Sequence, residues 1–188
     1  MSFVILQAVI RRLEERRKAR LFAEIKPDVV FHAAALKHLP LLQAHPSEAL
    51  KSNVWGTLSV LDAAAGAGVS HFVNISTDKA ADPTSVLGWS KRITERQTAF
   101  AAETTGRHFV SVRFGNVLGS RGSVLEIFQA QIAAGGPLTV THEEVTRYFM
   151  TVSEAVRVSL LRSGMSALRA LSRSLLFISA DKTGPSVV

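Results

Sequence analysis

The residues best suited to chemistry in this chain are Asp78 and Lys79, an adjacent acid and base. An apolar, β-prone run that begins at Phe72 ends at them, and Thr77 adds a hydroxyl directly before them. In an open α/β sheet, ligands bind and chemistry occurs at the carboxyl ends of the strands. An acid and a base delivered to that place predict proton transfer. The alternative is a capping aspartate beside a solvated lysine.

A second lysine, Lys91, follows in the first half of a predicted helix, where it could reach the same cleft. Leu87 lies one turn before it on the same helix face. In short-chain dehydrogenase/reductase enzymes this spacing carries a tyrosine and a lysine. A leucine cannot exchange a proton, so the spacing alone would leave Lys91 as a surface lysine.

The elements that must position these residues alternate between strands and helices. Short apolar runs predict strands at 29–34, 71–76 and 108–114. Amphipathic spacing and capping residues predict helices at 4–25, from Pro46 to about residue 65, from 84 or 85 to about 103, and up to Ala134. This alternation predicts βαβ units and an α/β, Rossmann-like, doubly wound parallel sheet.

Composition narrows the class of protein. The 188 residues suffice for one domain with a real core, and the absence of cysteine excludes disulfides and thiolate zinc sites. The net charge of +7 is concentrated near the two ends of the chain, and no stripe of basic residues alternates with aromatic ones, which argues against specific nucleic-acid binding.

No apolar run is long enough to span a bilayer, so a cytoplasmic protein is expected. His32, His38 and His142 lack metal-ligand spacing, and no metal site is predicted.

Three regions are predicted along the chain. Residues 1–25 are expected to form a basic helical lead segment, residues 26–158 a partial Rossmann-like domain, and residues 159–188 a poorly specified basic tail.

Six stretches, in order, resemble one family. They are His32–His38, Ser52–Thr57, Ile75–Ala80, Pro83–Arg92, Val112–Ser120 and Thr146–Thr151. The family is the CapD-like polysaccharide biosynthesis proteins, extended short-chain dehydrogenases that act as nucleotide-sugar 4,6-dehydratases, and the similarity covers about residues 21–158. In long members of the family the tyrosine is already replaced by methionine, so Leu87 is a small departure.

The resemblance implies a mechanism. NAD or NADP would take a hydride from C4 of a UDP-N-acetylhexosamine, Lys79 would remove the C5 proton, and Asp78 would protonate the departing C6 hydroxyl. Thr77 would hydrogen-bond the C4 oxygen, and Lys91 would position the cofactor ribose. These roles imply that the pKa of Lys79 is lowered and that burial raises the pKa of Asp78.

The resemblance also implies that residues 26–158 are a partial NAD(P)-binding and sugar-nucleotide domain, with specific binding residues. Cofactor contacts fall on His32, Ala33, Ala34, Ala35, Asn53 and Lys91, and substrate contacts on Lys37, Asn116, Ser123 and Arg147. Three alternatives stay open: helix–sheet packing for the alanine run, an ordinary turn residue for Asn116, and an ion pair with Glu143 or Glu144 for Arg147. A homo-oligomer is possible.

No G-x-G-x-x-G motif occurs in the sequence, although the family fold opens with a Gly-rich turn that holds the cofactor pyrophosphate. We therefore interpret the chain as truncated, without the first strands of the family sheet. The 29–34 strand is then expected at a sheet edge. The alternative to an enzyme is a catalytically inactive remnant that binds sugar nucleotide at most.

Overall fold

The computed structural model describes residues 15–120, 123–140, 142, 144–164, 175–178 and 186–187. Helix α1 occupies residues 15–25, and residues 1–14 of the predicted lead helix lie outside the described residues. The other helices are α2 (Leu39–Ala44), α3 (Pro46–Ala49), α4 (Gly56–Gly66), α5 (Val86–Thr105), α6 (Val124–Ala133) and α7 (Val152–Arg162). The strands are β1 (Val29–His32), β2 (His71–Thr77), β3 (His108–Phe114), β4 (Asn116–Val117), β5 (Phe149–Met150), β6 (Leu175–Ile178) and β7 (Ser186–Val187).

Five of these strands form one sheet in the order β3-β2-β1-β6-β7. Strands β1, β2, β3 and β6 run parallel, and β7 is antiparallel to β6. The predicted α/β fold with a parallel sheet is confirmed. Strands β4 and β5 form a separate two-stranded parallel ladder.

The expectation that the first strand lies at a sheet edge is wrong. Strand β1 has β2 on one side and β6 on the other, with Val29 in register with Leu175 and His32 with Ile178. The region expected to be poorly specified thus contributes a strand, and its start continues helix α7 to Arg162. Strands β2 and β6 together supply hydrogen-bond partners for the backbone N–H and C=O groups of β1. A strand that is buried along its whole length requires such partners on both sides.

Each face of the sheet buries its own apolar cluster, because successive strand side chains point to opposite faces. One cluster joins Val30 and Phe72 to Phe22 of α1 and Leu61 of α4. The other joins Val29, Phe31, Val73 and Val112, with Val158 and Leu160 from α7 packed against them. Each large side chain so buried stabilises the fold by about 1.5–3 kcal/mol. Helices therefore cover both faces, and the strand ends are left for the site.

Helix α5 begins and ends at residues that the sequence identifies. The Ser85 hydroxyl caps its first turn by accepting a hydrogen bond from the Gly88 N–H at 3.2 Å. Gly106 ends it with φ of 65°, in the left-handed conformation typical of glycine. The prediction of a helix from 84 or 85 to about 103 is confirmed.

The buried face of the preceding helix matches the prediction only in part. The spacing predicts that this face carries Leu50, Val54, Leu58, Leu61 and Ala65. Val54 and Leu61 are buried and Ala65 is half-buried, but Leu50 and Leu58 are exposed. A π-helical turn over Leu50–Trp55 joins α3 to α4 and shifts the helical phase, so that Asn53 and Thr57 face inward instead. None of the helices in the described ranges is both long and apolar enough to cross a membrane.

Candidate active site

Strand β2 delivers Thr77, Asp78 and Lys79 to the carboxyl end of the sheet. Thr77 is its last residue, in register with Phe114 at the end of β3, and Asp78 opens a 3-10 turn that continues to Ala80. One carboxylate oxygen of Asp78, Oδ1, accepts three hydrogen bonds. They come from the Thr77 hydroxyl (2.9 Å), the Lys79 backbone N–H (2.8 Å) and the Lys79 Nζ (2.9 Å).

These hydrogen bonds set the charge of Asp78. Burial raises the pKa of this carboxyl, but the hydrogen bonds from Lys79 and Thr77 and the charge of Lys79 outweigh it, so the pKa is lower than usual. The expectation of a raised Asp78 pKa is therefore wrong for the protein without substrate. Asp78 rests as a carboxylate that pairs with the Lys79 ammonium.

Glycine 88 permits the close approach of α5 to this turn. A Cβ at that position would lie 2.5 Å from the Lys79 carbonyl oxygen and 3.1 Å from the Pro83 Cβ. No side chain fits there without displacing the backbone. The first turn of α5 is thus packed directly against the residue predicted to be the base.

Lys91 points from α5 into the sheet. It is buried, and its Nζ donates a 2.7 Å hydrogen bond to the carbonyl oxygen of Ile75, two residues before Thr77. Burial lowers its pKa to about 8, and the charge of Glu95 limits the fall. Leu87, at the position of the family tyrosine, packs against Leu42 and Ala49 instead. The structure therefore brings Lys91 to the strand end that carries Asp78 and Lys79.

His32 ends β1 as a buried neutral imidazole. Its Nε2 lies 2.9 Å from the Thr57 hydroxyl, whereas its buried Nδ1 has no hydrogen-bond partner within the described part of the chain. Burial, together with the positive charges of Lys91 and Lys18, lowers its pKa to about 3. The ring therefore stays uncharged beside Lys91 at physiological pH.

The loop after β1 contains the alanine run. Ala33 is exposed, Ala34 and Ala35 are half-buried, and Lys37 is exposed. The buried Asn53 side chain holds this loop, because its Oδ1 accepts from the Leu36 N–H at 2.8 Å and its Nδ2 donates to the Leu36 carbonyl at 3.1 Å. The same Nδ2 donates to the Ser90 hydroxyl at 3.0 Å. Asn53 thus links the loop to α5 through its own side-chain hydrogen bonds.

The predicted substrate residues Asn116 and Arg147 lie on neighbouring segments. Asn116 follows β3 and pairs with Phe149 in the small ladder, and its N–H donates to the Tyr148 carbonyl at 2.7 Å. A Cβ on Gly115 would lie 2.6 Å from that carbonyl oxygen, so glycine is required for this contact. The exposed Arg147 donates from Nη1 to the Thr146 carbonyl. Glu143, one of its alternative partners, lies outside the described residues.

Ser123 precedes α6 at its N-cap without a side-chain capping hydrogen bond. Its hydroxyl oxygen is buried and has no hydrogen-bond partner among the described residues. A buried hydroxyl of this kind can bind a ligand, and the substrate contact of Ser123 stays a prediction.

Three residues behind the strand end were given no role from the sequence. The Ser76 hydroxyl donates to Glu95 Oε1 at 2.7 Å, and Arg113 forms two 2.8 Å hydrogen bonds to the two oxygens of Glu95. The signal in the sequence is Arg113 itself, a charge inside the apolar strand Phe109–Phe114. Glu95 also lies one helical turn after Lys91.

The residues at the end of β1 fit a bound dinucleotide in part. Small side chains leave the backbone after His32 accessible, and Lys91 uses one of its three N–H donors on Ile75.

Two open grooves lie elsewhere on the surface, one of about 330 Å³ beside Asp62 and one of about 560 Å³ beside Arg113. Neither is lined by Thr77, Asp78, Lys79, Lys91 or His32. The candidate site lies outside both grooves.

Several known proteins are similar to this chain in sequence. CapD, a capsular polysaccharide biosynthesis protein of Staphylococcus aureus, is 54% identical over 138 residues, which are 73% of this chain and 23% of CapD. An inverting UDP-N-acetylglucosamine 4,6-dehydratase of Campylobacter jejuni is 36% identical over 147 residues, 76% of this chain and 44% of that enzyme. The chain thus spans less than half the length of either relative.

The fold likeness extends to a solved structure. The UDP-glucose 4-epimerase of Thermotoga maritima, solved with UDP-glucose, superposes with a TM-score of 0.73 at 23% identity, over 92% of this chain and 61% of that one. The family model of the polysaccharide biosynthesis proteins matches residues 1–181, beyond the 21–158 expected from the motifs. Because this match covers most of the sequence, the chain belongs to the polysaccharide biosynthesis protein family.

Proposed function

We propose that this chain carries the proton-transfer site of an NAD(P)-dependent UDP-N-acetylhexosamine 4,6-dehydratase for polysaccharide synthesis. The observation that carries the proposal is the group at the end of β2, where an acid, a base and a hydroxyl share one carboxylate oxygen. A 4,6-dehydration needs a base at C5 and an acid at C6 of the same sugar. Adjacent residues of opposite charge supply both.

Each residue has a role in the proposed reaction. The C4 hydroxyl proton is released to solvent, favoured by the positive charge of Lys91, as the C4 carbon becomes a ketone. Lys79 then removes the C5 proton, and Asp78 delivers a proton to the C6 hydroxyl, which departs as water. Lys79 returns a proton to C5 as the C6 carbon is reduced. The Thr77 hydroxyl donates to the C4 oxygen. The bound dinucleotide would supply removal of hydride from C4 and its return to C6. Lys91 and the backbone after His32 would hold the dinucleotide ribose.

Binding of the sugar must change the resting arrangement. Asp78 is an ionised carboxylate in the structure, and an ionised carboxylate cannot donate a proton. Separation of Lys79 from Asp78 removes the ion pair that lowers the Asp78 pKa, and exclusion of water raises it further. We propose that, as the sugar excludes water, the shared proton passes from Lys79 Nζ to Asp78 Oδ1 before Lys79 moves toward C5. This transfer leaves a neutral amine as the base for C5 and a protonated carboxyl group as the acid for C6.

The same ion pair supports the second candidate, a catalytically inactive remnant that binds sugar nucleotide at most. Acid and base neutralise each other at rest, which is also the arrangement of a structural ion pair. The two candidates differ in whether substrate separates the pair.

One experiment tests both. The purified chain is incubated with UDP-N-acetylglucosamine and NAD⁺ in deuterated water, and products are followed by mass spectrometry. The enzyme predicts a 4-keto-6-deoxy product lighter by one water, with solvent deuterium incorporated. Lys79→Met should reduce its formation by a factor of about 10² or more. Binding of UDP-N-acetylglucosamine by calorimetry without product would favour the remnant, and neither binding nor product would refute both.

A further inference from the structure

A carboxylate behind the strand end connects the three elements that meet at the site. Glu95 lies on the inner side of α5, and its side chain is only 12% exposed. Ser76 belongs to β2 and Arg113 to β3, and these two residues are in register across the sheet. Glu95 accepts hydrogen bonds from both, so one side chain joins one helix and two strands.

This junction of Glu95, Ser76 and Arg113 lies directly beside the candidate site. Ser76 is the residue directly before Thr77. Lys91 is one turn before Glu95 on α5, and its Nζ is bonded to Ile75, the residue directly before Ser76. The two residues of β2 that precede the candidate site are thus held by α5 through a lysine and a glutamate.

We infer that Glu95 is a positioning residue for the candidate site, which aligns the end of β2 through Ser76 and places a negative charge one helical turn after Lys91 on the same helix. The purpose of this arrangement rests on the proposed function, but the arrangement itself can be tested without turnover. Arg113 serves to hold the carboxylate in place, because its two parallel hydrogen bonds fix the plane of the carboxyl group.

Electrostatics agree with this geometry. The hydrogen bonds from Arg113 and Ser76 outweigh the effect of burial and keep the pKa of Glu95 lower than usual, so it is ionised. The titratable groups beside Lys91 are Glu95 on its own helix and the neutral His32 at the end of β1. Glu95 is itself paired with Arg113 of β3 and with Arg92 of α5, whose Nη1 lies 3.5 Å from Glu95 Oε2. Glu95 is therefore the charge that offsets the burial of the Lys91 ammonium.

The test is a direct titration of Lys91 by NMR in protein labelled with ¹³C at the lysine ε-carbons. Its resonance is assigned from Lys91→Arg and followed in wild type, Glu95→Gln and the control Glu103→Gln, which alters an exposed glutamate near the end of α5. We expect Glu95→Gln to move the Lys91 titration to lower pH and Glu103→Gln to leave it unchanged. An unchanged Lys91 titration in folded Glu95→Gln would overturn the inference.

A second variant covers the case in which Glu95→Gln does not fold. Ser76→Ala removes only the hydroxyl that joins β2 to the carboxylate, and its effect is measured by hydrogen exchange. The amides of Thr77, Asp78 and Lys79 should exchange about fivefold faster, while those of β1 keep their wild-type rates. Equal exchange of the three amides in both proteins would refute the alignment of β2. Because neither measurement needs substrate, failure of the proposed function would leave both results interpretable.

Discussion

At the scale of single residues, Asp78 shows how hydrogen bonding can reverse the effect of burial on a carboxyl group. Its Oδ1 collects a hydroxyl, a backbone N–H and an ammonium, and their sum lowers the pKa although burial raises it. The sequence places an acid and a base side by side at a strand end. It cannot show that both point at the same oxygen, because this depends on side-chain rotamers.

Thr77→Val is expected to raise the pKa of Asp78, since it removes one of the hydrogen bonds to the ionised form. A lowered carboxyl pKa stabilises the fold above the pKa of the unfolded chain, and this contribution is lost as pH falls through the folded value. The variant should lose less stability on acidification. Carboxyl ¹³C NMR measures the titration, with Thr104→Val as a control on an exposed threonine. A pKa that stays in place or falls would contradict the prediction.

Lys91 is expected to lower stability at neutral pH. Its fall in pKa from 10.5 to about 8 corresponds to about 3 kcal/mol of unfavourable burial of the charge. The folded protein loses this proton before the unfolded chain does, so the free energy of unfolding should rise between about pH 8 and 10.5.

Lys91→Met should therefore be about 1–2 kcal/mol more stable at pH 7, after the lost hydrogen bond to Ile75 is taken into account, and should lack that rise. Urea denaturation at several pH values measures both effects. Lys51→Met, at an exposed lysine, is the control and should keep the rise. A less stable Lys91→Met with an unchanged pH dependence would show that the buried ammonium is not under electrostatic strain.

At the scale of elements, the junction between α5 and the 3-10 turn depends on Gly88. Gly88→Ala would place a methyl group 2.5 Å from the Lys79 carbonyl and should cost about 1–3 kcal/mol of stability. Gly66→Ala is the matched control, because its Cβ would meet nothing within 4 Å, and it should be neutral or stabilising by up to about 1 kcal/mol. Thermal unfolding distinguishes the two, and equal melting temperatures would refute the close packing.

The helices differ in how well their ends and faces can be predicted from the sequence. The limits of α5 could be predicted because Ser85 acts through its own side-chain hydroxyl and Gly106 through its own backbone conformation, which are both local features. The face of the helix before β2 could be predicted only in part, because the π-helical turn over Leu50–Trp55 changes the period on which that prediction depends. Asn53 lies within that turn, and its hydrogen bonds to Leu36 are contacts between distant parts of the chain.

At the scale of the whole molecule, the position of β1 within the sheet depends on residues near the end of the chain. A variant that ends at Gly164 would lack β6 and expose the backbone of β1 along one side, so we expect aggregation and a lower melting temperature. A variant that ends at residue 180 keeps β6 and is the control. Light scattering measures the difference, and identical behaviour of the two variants would contradict the pairing.

The sequence predicted the sheet but not this neighbour of β1. The strands β1, β2 and β3 follow from apolar runs separated by amphipathic helices. Strand β6 follows a stretch rich in Ser, Leu and Arg with no clear period, and its partner lies more than a hundred residues earlier. Long-range pairing of this kind leaves little trace in local pattern.

The ion pair between Asp78 and Lys79 has a thermal consequence. Its side chains are 28% and 31% exposed, and a partly solvated pair of this kind is worth about 0–1 kcal/mol. That energy is comparable with RT, which is about 0.6 kcal/mol at room temperature. Breaking this contact therefore costs the fold little stability. In the proposed reaction, the sugar has only a small stabilisation to overcome when it separates Lys79 from Asp78.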